Sequence, residues 1–73
     1  MNMNIYGYES AESELIGLQE ITLQVSIDEL NELIEFMKNT LLLMREHENF
    51  GSEHFKDFAV NKSLGMPDII ISK

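Results

Sequence analysis

The stretch from Ser26 to Glu48 constrains the chain most, because it reads as one amphipathic helix of roughly six turns with strand-like segments on either side. Ser26 and Glu29 form the Ser-x-x-Glu pattern of a capping box, in which the hydroxyl and the carboxylate each accept from the other residue's backbone N–H. Asp28, Glu29, Glu32 and Glu35 occupy the first turns and Lys38 and Arg45 the later ones, the order that the helix dipole favours. Leu30, Leu33, Ile34, Met37, Leu41 and Met44 recur at spacings of three and four. They form an apolar stripe that is expected to be the core face. A second row, Phe36, Thr40, Leu43 and His47, lies about a third of a turn away and is either the flank of one broad core face or a subunit contact. Asn49, Phe50 and Gly51 end the pattern, since Asn and Gly tolerate the backbone conformation that closes a helix.

The flanking segments predict strands. Met3 to Tyr8 alternates, with Ile5 and Gly7 on one face and Tyr6 and Tyr8 on the other. Glu9 to Glu14 has loop composition. Leu15 to Val25 resumes an extended pattern in which Ile21, Leu23 and Val25 share a face. Ile16 and Leu18 have the opposite parity, so an irregularity is required near Gln19 or Glu20. Glu53 to Val60 is a third strand candidate in which Phe55 and Phe58 differ in parity, leaving one face exposed or the strand irregular. Asn61 to Met66 has turn composition before Pro67, and Ile69, Ile70 and Ile71 read as a strand inside the sheet, covered on both faces. The expected fold is a single α+β domain over residues 1–73, a two-layer sandwich in the order β-β-α-β-β, mostly antiparallel, with one long helix on one face.

At 73 residues there is room for one core, near the size at which many chains dimerise or recruit a partner. Absence of cysteine excludes disulfides and thiolate chemistry and suits a reducing cytoplasm. The longest apolar run, Leu41 to Met44, is too short to cross a bilayer, and no secretory signal pattern opens the chain, so a soluble, unprocessed protein is expected. Of the 13 acidic residues, Glu9, Glu12, Glu14, Glu20, Asp28, Glu29, Glu32 and Glu35 precede the first basic side chain, Lys38. From Lys38 onward acids and bases balance, so the N-terminal half carries the whole net charge of -8. That field disfavours nucleic acid and anionic membrane as partners and speeds association with a basic protein; equally, it serves solubility.

The residue types of catalysis are sparse. Ser10, Ser13, Ser26, Ser52, Ser63 and Ser72 lie in no nucleophile motif, no Gly-rich phosphate loop follows a strand, and no enzyme activity is expected. His47 and His54 sit among Glu46, Glu48, Glu53 and Asp57, metal-ligand types whose spacing matches no established signature. They read as solvated residues, with no metal and no cofactor.

Three segments, Glu20-Ile-Thr-Leu-Gln-Val-Ser26 leading into Asp28-Glu-Leu-Asn-Glu-Leu33, Ser52-Glu-His-Phe-Lys-Asp57 and Pro67-Asp-Ile-Ile-Ile71, together resemble immunity protein family thirty-two of bacterial polymorphic toxin systems. The resemblance runs from the second strand to the C-terminus and rests on strand and helix patterns. It implies a cytoplasmic, non-catalytic protein that binds and neutralises a cognate toxin, and it assigns no binding residue. From the residues themselves, Tyr6, Tyr8, Glu9, Glu12, Glu14 and Glu20 are the candidate partner contacts, joining aromatic anchors to carboxylates that can stand where nucleic-acid phosphates would. The alternatives are a small homodimeric assembly protein and an acidic nucleic-acid mimic that inhibits a nuclease.

Overall fold

A computed structural model describes residues 3–58 and 67–73. The expected strand residues Ala59 and Val60 and the expected turn over 61–66 lie outside the described residues. The chain is a small α+β fold with the elements β1 (Ile5–Gly7), β2 (Ile16–Leu18), α1 (Ile27–Glu46), β3 (Ser52–His54), α2 (Phe55–Phe58) and β4 (Ile70–Ser72). The strands pair antiparallel, β1 with β2 and β3 with β4. Among the described residues these ladders form two separate two-stranded sheets rather than one sheet of four.

The helix begins where its local chemistry directs. Ser26 is extended, its Oγ accepts from the Glu29 backbone N–H at 3.1 Å, and Glu29 Oε1 accepts from the Ser26 N–H at 2.7 Å, completing the capping box. These hydrogen bonds, the Ser26 backbone first and its hydroxyl second, hold the Glu29 carboxyl below its ordinary range. The helix ends at Glu46, where the His47 N–H still donates to the Leu43 carbonyl at 3.0 Å and a turn over Glu48 and Asn49 follows.

The core corrects the expected orientation of α1. Leu33 alone of the six-residue stripe is buried; Met44 is half-buried, and Leu30, Ile34, Met37 and Leu41 are exposed. The inward row is instead the second one, with Phe36 at 1% exposure and Thr40 at 2%. Phe36 and Thr40 are therefore closed off within one chain and present no side chain to a second subunit. Leu43 beside them is half-buried and His47, past the helix end, is exposed.

What turns the helix this way is a pair of phenylalanines from the segment read as a third strand. The ladder stops at His54 and the backbone makes one helical turn, so Phe55 and Phe58, three residues apart, fall on the same side instead of opposite ones. Their rings tilt against Phe36 at centroid distances of 5.3 and 5.8 Å, within the range favoured by aromatic pairs. Ile69 and Ile71 complete this cluster from one face of β4 and its approach, and Ile70 points away and is exposed. The triple-isoleucine strand is thus half-covered, not enclosed on both faces.

The second expected strand is short for the reason its parity suggested. Pairing ends at Leu18, a bend follows at Gln19, and Ile21 to Val25 has no ladder of its own. Gly7 allows close packing in this hairpin, since a Cβ there would lie 3.1 Å from Leu18 Cδ1.

Candidate partner-binding site

The six expected contact residues belong to the β1–β2 hairpin or its immediate exit. Tyr6 lies in β1 opposite Gly17 of β2, a partner without a side chain to cover the ring. Tyr8, Glu9, Glu12 and Glu14 lie in the connection, and Glu20 follows the second strand. All six are exposed, both tyrosines by more than half their surface. None belongs to the core cluster of Leu33, Phe36 and Phe55.

The connection has its own internal order. The Ser13 N–H donates to the Ser10 carbonyl at 3.1 Å, the Ser13 hydroxyl donates to the same carbonyl at 2.8 Å, and Ser13 Oγ accepts from the Ser10 N–H at 2.9 Å. Small hydroxyl residues of this kind supply a turn with a side-chain substitute for ladder bonds. Glu12 lies within this turn, and Glu9 and Glu14 flank it. No lysine or arginine occurs before Lys38, so the hairpin carries its negative charge without an internal counter-ion.

The His47 and His54 region divides. His47 ends α1, whereas His54 closes β3 and places its Nδ1 2.6 Å from Asp68 Oδ2. Asp68 Oδ1 accepts from the backbone N–H groups of Lys56 at 3.1 Å and of Ile69 at 2.9 Å. Burial pushes the Asp68 carboxyl up, but the His54 hydrogen bond, the Lys56 N–H, the charge on His54 and the Ile69 N–H together outweigh it and hold the group below its ordinary range. A backbone bond from Phe55 N–H to the Ile69 carbonyl at 2.8 Å lies beside this network. The arrangement is structural: Asp68 caps the short α2 from a distant part of the chain and fixes the turn that delivers Phe55 and Phe58 to Phe36. Sequence reading grouped His54 with its sequence neighbours and missed Asp68. Among the described residues no group of three or more His, Asp or Glu side chains is placed to hold a metal ion, and no helix is long and apolar enough to cross a membrane.

No protein-family model, curated protein or solved structure matches this chain.

Proposed function

We propose that the protein is a non-catalytic binding domain, an immunity protein that neutralises a cognate bacterial toxin in the cytoplasm by occupying it. The hairpin is the contact surface: Tyr6 and Tyr8 supply rigid apolar area with a polar tip, and Glu9, Glu12, Glu14 and Glu20 steer the approach of a basic surface. In this reading the helix and the strand pairs are the two layers of an α+β sandwich, and the hairpin projects from the layer that the helix leaves uncovered. One observation supports the proposal above the rest. The six residues are exposed on one hairpin, outside the core, on an element whose turn is ordered by Ser10 and Ser13.

The test is co-expression with the product of a neighbouring toxin gene, scored for rescue of growth and for a stable complex. Rescue with a complex is expected, and toxicity that persists beside a folded chain contradicts the proposal. Within such a complex, replacing all four glutamates by lysine slows association about tenfold or more at low salt, with the far-UV circular dichroism unchanged. An unaltered rate removes the electrostatic part of the mechanism.

A further inference from the structure

Neither the core nor the proposed toxin-facing hairpin uses the outer apolar face of α1. Ile27, Leu30, Ile34, Met37 and Leu41 follow one another at intervals of three and four residues and all are exposed. Strict three-four alternation is the spacing of a seam between two helices. Among the described residues there is one long helix, and no second helix there covers that seam. We propose that the stripe is covered by a second copy of this chain, the two α1 helices packing antiparallel about a two-fold axis at the level of Phe36 and Met37.

Ile21, Leu23 and Val25, exposed on the unpaired stretch that leads into the helix, add to the apolar surface still open.

Charge selects the partner and the direction. On a period of 3.6 the border of the stripe away from the core carries Asp28, Asn31 and Glu35 in the N-terminal half and Lys38, Leu42 and Arg45 in the C-terminal half, with Glu46 at the last helical position. A two-fold axis makes this border meet itself reversed, which brings Lys38 toward Glu35 of the second copy and Arg45 toward Asp28 of the second copy. Parallel helices would align the two dipoles and set the charged border against the opposite one, which carries Leu33 and Met44 and no charge. A basic protein, the class suited to the hairpin, would meet Lys38 and Arg45 here. The stripe therefore fits the chain's own helix better, and dimerisation leaves the hairpin free.

Light scattering and sedimentation of the full chain test the proposal. The expected mass is twice the 8.4 kDa of one chain. Ile34→Asp with Leu41→Asp converts it to a monomer that keeps its helical circular dichroism. If that variant does not fold, Lys38→Glu with Arg45→Glu is read instead: it raises the dissociation constant about tenfold or more, and mixing with a chain carrying Asp28→Lys and Glu35→Lys restores association. Because the sequence has no cysteine, a spin label at Glu46→Cys reports direction alone. Antiparallel helices of this register separate the two labels by about 28 Å along the axis, from 1.5 Å of rise per residue. A wild-type chain that stays monomeric at every concentration, a dimer indifferent to both sets of substitutions, or labels within about 15 Å overturns the proposal.

Discussion

Two faces of α1, about 100° apart around one helix, have opposite fates. Leu33, Phe36 and Thr40 are sealed against Phe55, Ile69 and Ile71, whereas Leu30, Ile34, Met37 and Leu41 are each at least 42% exposed. The exposed face is the more uniformly aliphatic of the two. The number of apolar residues on a face therefore does not decide what it covers; the buried face wins because two aromatic rings from a later segment reach Phe36. An aromatic contact that closes out water outweighs a longer row of aliphatic residues with no facing element.

The sharpest way to break this contrast is to truncate one residue on each face. Phe36→Ala removes the centre of the ring cluster and costs about 3–5 kcal/mol, a large share of the 5–15 kcal/mol that holds a typical domain. Ile34→Ala in dilute protein costs about 1 kcal/mol or less, because that side chain already meets solvent. Denaturant unfolding of the two variants checks the difference, and equal losses would place both rows in one core. The proposed dimer predicts that at higher concentration the Ile34 variant falls further behind.

The helix itself was legible because its signals are local. Ser26, Glu29 and the ordered charges specify a start that needs no tertiary contact. Its rotation was not legible, since Leu30 through Met44 present more apolar side chains than Phe36 through His47 and the deciding partner lies some twenty residues away in sequence. Phe55 and Phe58 carried a readable clue: a parity that failed for a strand is the i, i+3 spacing of a helical turn. Ile69 to Ile71 misled in the opposite sense, because a continuous β-branched run fits a strand buried on both faces, yet Ile70 is exposed. Alternation and loop composition gave the two strands and the connection that carry Tyr6 through Glu20, while their pairing as a hairpin came from the structure. The Asp68 to His54 link was invisible, since it joins residues fourteen apart through a turn that only the folded chain makes.

A smaller effect sharpens the same contrast inside the buried face. Thr40 is enclosed, yet its hydroxyl has no hydrogen-bond partner among the described residues. An unpaired buried hydroxyl costs free energy that a methyl group of the same shape does not, so Thr40→Val raises stability by about 1 kcal/mol. A loss of stability in thermal or denaturant unfolding would mean that the hydroxyl has a partner after all.

The pH dependence is smaller again and concerns how the rings are delivered. Asp68 is held below its ordinary range in the folded chain, so its stabilising contribution is complete above the unfolded-state value and disappears as pH falls through the folded-state one. Asp68→Asn lowers stability at neutral pH and flattens the acid limb of the stability curve. An unchanged acid limb would free Asp68 from any part in holding α2.

The most direct measurement is a nuclear Overhauser spectrum of the chain with its phenylalanines isotopically labelled. Cross-peaks from the Phe36 ring to the rings of both Phe55 and Phe58 are predicted, with centroids 5.3 and 5.8 Å apart, and none from Met37 to either ring. Cross-peaks from Met37 to Phe55, together with a Phe36 ring relaxed by a paramagnetic probe in solvent, would show the helix turned the other way.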